Sequence, residues 1–203
     1  MPFITTSRKR PMLTIYLICF ITFVFILQQF LPMEEYGDFI PAEAFERPWT
    51  FVTSIFLHAD IEHIFFNMFA LFIFGTFLET KIDAKDYILI FLISGIFGNV
   101  AYLFIASDPT IPGLGASGAI YGIMGCLAVL APTAIVYFLS VPMPMFLAAI
   151  IWAVTEFAGI FVPSDIGHAA HFAGLIIGVI YGFYIKRYQK ELKVSQYFQR
   201  LTF

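Results

Sequence analysis

Long runs of apolar residues, separated by short polar stretches, set the pattern along this chain. The runs are continuous rather than striped at a period of 3.6 residues, so each reads as a helix apolar on every side. A bilayer's hydrocarbon core needs roughly 20 such residues per crossing helix. Six spans can be drawn, at about Pro11–Leu31, Glu62–Glu79, Tyr87–Ala106, Ser117–Ala131, Met145–Phe161 and His168–Ile185. The fourth is short for a full crossing. No charged residue stands between Pro109 and Thr155, so hydropathy alone cannot divide that stretch. Pro132, Pro142 and Pro144 punctuate it, because proline disrupts a helix interior, and a turn is expected in Pro132–Pro144. Five spans is the competing count. The first loop, Pro32–Ile61, is long for a connector and carries Glu34, Glu35, Asp38, Glu43 and Glu46 among aromatic residues. Loops of this length are functional or disordered, and its Phe and Trp content argues against disorder and for a loop lying partly in the membrane interface.

Composition agrees with the pattern: 60% of the 203 residues are hydrophobic and only 12% are charged, too few to clothe a soluble domain. The placement of charge decides the span count. With six spans both termini share a side, and that side collects Arg8, Lys9, Arg10, Lys81, Lys85, Lys186, Arg187, Lys190, Lys193 and Arg200. Of the 11 basic residues only Arg47 then falls opposite, which is the positive-inside pattern with cytoplasmic termini. An odd count would split the terminal clusters. No basic face interleaved with aromatics is visible, so nucleic-acid binding is not expected. Cys19 and Cys126 both lie in apolar runs and read as packing residues rather than a disulfide. The first run follows Arg8-Lys9-Arg10 like a signal peptide, but it is longer than an h-region and lacks a small-x-small cleavage site. It reads as a retained span.

In such a chain the informative residues are polar groups at membrane depth, where they are expensive. One cluster is Gly113-Leu-Gly-Ala-Ser-Gly118, opening the fourth span. A serine there is either a helix N-cap or a nucleophile whose flanking glycines and helix N-terminus could stabilise an oxyanion. It is not the hydrolase elbow G-x-S-x-G, since Ala119 takes the place of the second glycine. A second cluster is Gly167-His168-Ala-Ala-His171-Phe-Ala-Gly174, with the two histidines one helical turn apart. Gly174, Gly178 and Gly182 continue at i,i+4, and Gly118 and Gly122 share that spacing, so the two helix faces suit close packing and a Ser117–His171 contact. The third cluster is His58, His63 and Asn67; the last two are i,i+4 on the second span and share a face. They either glue helices by hydrogen bonding or donate to a developing negative charge. By topology all four histidines lie toward the extracytoplasmic side, as does Ser117.

Taken together, G-A-S-G at 115–118, H-F-A-G at 171–174 and H-x-x-x-x-H-x-x-x-N at 58–67 resemble the rhomboid family of intramembrane serine proteases. The resemblance covers the whole six-span core. It implies an all-α membrane protein: a six-transmembrane-helix rhomboid-like bundle with a long first extracytoplasmic loop, one domain over residues 1–203 with short cytoplasmic tails. It further implies Ser117 as nucleophile and His171 as general base, with His63, Asn67 and the Ser117 backbone N–H as oxyanion hole. Gly115 would keep the loop open, Tyr121 would pack on the His171 ring, and Gly174 would allow close approach of the sixth and fourth spans; Gly118 and His58 belong to the matched motifs. The implied partners are the lipid bilayer and transmembrane protein substrates, cut near their extracytoplasmic ends at small residues in helices that unwind easily. The family's Trp-Arg pair is represented only in part, by Trp49 followed by Thr50, with Arg47 nearby.

The chemistry is coherent on its own terms. A serine hydroxyl needs a base to become a nucleophile, and an imidazole can serve near neutral pH. No carboxylate is evident as a third member, so a dyad oriented by packing is expected, without metal or cofactor. Glu156, the one carboxylate inside a span, reads as a hydrogen-bonded structural residue or, less simply, a functional one. Hydrolysis requires water, and the short fourth span would floor a polar cavity. Three alternatives stand beside this reading. They are a His-ligated metal-dependent membrane protein, a small transporter, and a rhomboid-like protein that binds membrane helices without cutting them.

Overall fold

The computed structural model describes residues 12–138, 140–162, 164 and 166–201, so the Arg8–Lys9–Arg10 cluster and Pro11 lie outside the described residues. Its helices are α1 (Met12–Gln28), α2 (Met33–Gly37), α3 (Thr50–Thr53), α4 (Ile61–Ala70), α5 (Thr76–Glu79), α6 (Ala84–Ile105), α7 (Ser117–Leu130), α8 (Met145–Gly159) and α9 (His168–Leu201). A single π-turn, Leu71–Gly75, joins α4 to α5 into one continuous rod. Among the described residues, three helices are long and apolar enough to cross a membrane: Ile61–Glu79, Ala84–Ile105 and the His168–Glu191 part of α9. Met12–Gln28, Ser117–Leu130 and Met145–Gly159 are shorter apolar helices.

Many of the large apolar side chains point outward. Phe65, Phe69, Phe72, Phe97, Val154, Phe157, Ile180 and Phe183 are exposed along their helices, while Tyr87, Phe91 and many small and medium residues fill the centre. That inversion suits a hydrocarbon surround, where close van der Waals packing between small residues holds helices together. α7 is the central helix, with almost its whole length buried. Its closest neighbour is α9. A Cβ on Gly174 or Gly178 would collide with the carbonyl oxygens of Gly118 and Gly122 respectively, so these glycines set the approach of the two backbones. At 14 residues α7 is roughly 21 Å long at 1.5 Å per residue, short of a hydrocarbon core of about 30 Å. At the other side of the bundle, the Glu79 carboxylate receives the Leu13 and Thr14 N–H groups at 2.8 and 2.9 Å, capping α1 with a side chain from α5.

One expectation needs correction. The turn Pro132–Pro144 is a small antiparallel hairpin, β1 (Ile135–Phe138) paired with β2 (Val141–Pro144), so the fold is not purely helical. The run Ile-Val-Tyr-Phe favours an extended backbone, and the prolines of β2 deny a helix its N–H donors while tolerating an edge strand. The first loop folds into α2, a 3₁₀ turn at Pro41–Glu43, α3 and a 3₁₀ turn at Ser54–Phe56. Arg47 donates to the Glu35 carbonyl at 2.8 Å and pairs with Glu43 at 2.7 Å, and the Trp49 indole donates to the Tyr36 carbonyl at 2.9 Å. Both side chains thus pin α2 to the chain that precedes α3. The loop also pairs with the segment leading into α7, since Phe39 and Gly113 exchange backbone hydrogen bonds of 3.1 and 2.8 Å.

Candidate active site

The approach to Ser117 is held from the first loop. The Gly115 N–H donates to the Ser54 carbonyl at 2.9 Å, and the Ala116 N–H points at His58 Nε2 at 3.5 Å. His58 is fully buried, and burial, with the neighbouring His63 ring second, pushes it down to about 4, so the neutral ring can accept that N–H. Gly115 has φ +124°, a backbone region left almost entirely to glycine, and its α-carbon faces the His63 imidazole. A Cβ at that position would stand 2.7 Å from His63 Cε1 and 2.8 Å from Nε2. The chain then turns into α7, and Ser117 is its first residue.

The α7–α9 packing delivers His171 to the serine. His171 Nε2 lies 2.7 Å from Ser117 Oγ, a normal hydrogen-bond length. The Tyr121 ring, one turn after Ser117, stacks on the imidazole with centroids 4.5 Å apart and planes inclined by 10°. His171 Nδ1 points away from the serine, toward Glu156 Oε2 at 3.2 Å. The same oxygen takes His168 Nδ1 at 2.6 Å, and the other carboxylate oxygen takes the Tyr121 hydroxyl at 2.5 Å. A buried carboxylate from α8 therefore converges on the imidazole, contrary to the expectation that packing alone orients it. The expected hydrogen-bonded role of Glu156 holds, but one of its partners is the histidine beside Ser117.

His63, Gly115, Ser117, Gly118, His168 and His171 line a cavity of about 820 Å³. His58, Asn67, Tyr121, Glu156 and Gly174 stand outside that lining. Asp60 caps α4 through the His63 N–H at 2.7 Å. Asn67 is buried and donates one amide N–H to the His63 carbonyl at 2.9 Å, leaving its side-chain oxygen without a partner. One ring nitrogen each from His168 and His171 and a Glu156 oxygen lie within 4.8 Å of one another, a set that could ligate a metal. Sequence reasoning found no carboxylate converging with the histidines, and the structure supplies one. The contact between His168 and Glu156 is nevertheless 2.6 Å, shorter than the ~3.3 Å that separates ligands arranged tetrahedrally around zinc at about 2.0–2.1 Å. The spacing is that of hydrogen bonds made directly between the side chains.

Fold and site together define a helical membrane protein with a serine–imidazole pair at the start of a short central helix. The family model of the rhomboid domain matches residues 46–188, and the chain belongs to the rhomboid family. It is 34% identical over 145 residues to Rhomboid protein 1, mitochondrial, of Saccharomyces cerevisiae, covering 67% of this chain and 41% of that protein. It is 35% identical over 130 residues to Rhomboid protease GluP of Bacillus subtilis, covering 64% of this chain and 24% of that protein. It is 28% identical over 183 residues to Rhomboid protease GlpG of Pectobacterium atrosepticum, covering 89% of this chain and 65% of that protein. The chain thus spans less than half the length of the first two relatives.

Proposed function

We propose that this chain is an intramembrane serine endopeptidase that hydrolyses peptide bonds in or near transmembrane segments of other membrane proteins. The observation that carries the reading is the 2.7 Å contact between His171 Nε2 and Ser117 Oγ on the wall of a cavity. In that geometry the imidazole removes the hydroxyl proton as Oγ attacks a substrate carbonyl carbon, then returns the proton to the departing amine. Water would hydrolyse the acyl-enzyme by the reverse sequence.

The negative charge on the former carbonyl oxygen forms near the start of α7. The first-turn N–H groups of a helix lack acceptors within the helix, and its dipole is positive at that end. The Ser117 N–H and the His63 side chain supply the donors at this position, and Asn67 keeps a second amide N–H for the same face of α4. Gly115 and His58 act on the same feature by holding the loop that turns into Ser117. Gly118 and Gly174 bring the two catalytic helices close enough for a single hydrogen bond.

The three long helices and the three shorter apolar ones then make a six-span domain with both termini cytoplasmic, a reading that the distribution of basic residues supports. The active site then opens to the extracytoplasmic side, and substrates reach it through the bilayer as transmembrane helices. The test is to reconstitute the purified protein in liposomes with a panel of single-span substrates and to map cut sites by mass spectrometry. Cuts near the extracytoplasmic ends, insensitive to chelators, are expected. A folded protein that cuts none of them contradicts the reading in favour of helix binding without catalysis, and chelator-sensitive cutting contradicts it in favour of a metal.

A further inference from the structure

The geometry points to Glu156 as a positioning residue that completes a Ser117–His171–Glu156 triad, its carboxylate held in place by His168 and Tyr121. The inference rests on the reading of Ser117 and His171 as nucleophile and base. An ionised carboxylate only accepts hydrogen bonds. With Glu156 Oε2 3.2 Å from His171 Nδ1, that nitrogen must carry the proton, which leaves the lone pair on Nε2 facing Ser117 Oγ at 2.7 Å. This is the tautomer a general base needs. The opposite tautomer would donate to the serine and could not take its proton.

The carboxylate is itself fixed. His168 Nδ1 at 2.6 Å shares Oε2 with His171, and the Tyr121 hydroxyl at 2.5 Å holds Oε1. The three donors come from α7 and α9, while Glu156 comes from α8, so one buried side chain ties three helices at the depth of the site. A purely structural pin would need no particular relation to the catalytic imidazole. Here the Tyr121 ring covers the face of His171 while its hydroxyl orients the carboxylate that faces His171 Nδ1. Once His171 has accepted the serine proton it is an imidazolium, and a buried carboxylate 3.2 Å away stabilises that charge. The i,i+3 pair His168 and His171 thereby divides the work: one imidazole moves the proton, the other anchors the group that steadies it.

Glu156→Gln separates this role from a structural one. Glutamine keeps the shape, and its amide oxygen can still accept from both histidines while its NH2 donates to the Tyr121 oxygen, so the charge is the main loss and the Tyr121 bond reverses direction. With a transmembrane substrate in detergent, kcat per folded molecule should fall about 10- to 100-fold with KM within about twofold and the melting temperature little changed. That loss is smaller than the ~10⁴-fold penalty for neutralising the buried aspartate of a chymotrypsin-type triad, because the contact to His171 is longer. Glu156→Asp, which keeps the charge, should retain more turnover per folded molecule than Glu156→Gln. A Glu156→Gln protein with the kcat of the native chain, or equal turnover in the Gln and Asp variants, overturns the proposal. If the native chain itself shows no Ser117-dependent cleavage, the failure belongs to the protease reading and not to Glu156.

Discussion

Gly115→Ala is a one-carbon change with two separable consequences. The residue sits at φ +124°, where an L side chain is strained by about 1–3 kcal/mol. The added carbon would also stand 2.7–2.8 Å from the His63 ring, so the imidazole has to move by roughly 0.7 Å to restore an ordinary contact of about 3.5 Å. For a chain of this size each kcal/mol lowers the melting temperature by about 2–4 °C, so the variant should melt roughly 2–12 °C lower. The larger effect falls on turnover. A displaced His63 and a re-aimed Ser117 spoil the donor geometry that stabilises the tetrahedral intermediate, and misplacement on the scale of 1 Å can cost on the order of 100-fold. Turnover per folded molecule, measured beside a thermal melt in the same detergent, should therefore drop about 10- to 100-fold with little change in KM. An alanine variant as stable and as active as the native chain would refute the account of this loop.

Other outcomes follow from the same geometry. Asn67→Ala should lower kcat about tenfold without changing KM, whereas a reduced melting temperature with unchanged kcat would assign Asn67 to helix packing alone. Asp38, buried in the first loop, is raised to about 7 by burial first and Glu34 second, against the opposing charge of Arg47. Because its unfolded-state value is 3.8, the folded form binds the proton more tightly, so the Asp38 contribution to stability is greatest below about pH 4, declines toward pH 7 and then levels. Melting temperature should accordingly fall between pH 5 and pH 8 in the native chain, and Asp38→Asn should remove that part of the slope. An identical slope in both proteins would contradict the assignment.

Much of the architecture was legible because the bilayer imposes it. Uninterrupted apolar runs mark helices whatever their neighbours, and the observed helices begin and end within several residues of the spans drawn from hydropathy, except that α9 continues past the expected end at Ile185 to Leu201. The glycine repeats exposed the α7–α9 contact in advance, since only small residues let backbones approach that closely. The hairpin at Ile135–Pro144 was hidden by an uncharged stretch in which hydropathy carries no boundary, and proline signalled only that a helix must stop. The order within the first loop was equally hidden. It depends on Arg47, Trp49 and Phe39 meeting partners whose placement no local spacing reveals.

The candidate site divides in the same way. Ser117, His171, His63 and Tyr121 stand in short motifs whose i,i+3 and i,i+4 relations can be read along one helix. Glu156 has no such companion. Its lone position in an apolar helix announced a cost that something must offset, but the three donors that satisfy it come from two other helices. Which face of α8 looks inward is a tertiary fact. A carboxylate in the middle of an otherwise uncharged span was the available signal, and it identified the residue without identifying its partners.

The central claim is that one hydroxyl does the chemistry. Ser117→Ala removes that oxygen and one hydrogen bond to His171, and α7 packs through its other residues, so the protein should fold, melt close to the native chain and bind substrate. The direct measurement is cleavage of a transmembrane substrate by native and Ser117→Ala protein at equal folded concentration. The account predicts cleavage by the first and none by the second; substantial cleavage by a well-folded Ser117→Ala protein would contradict it.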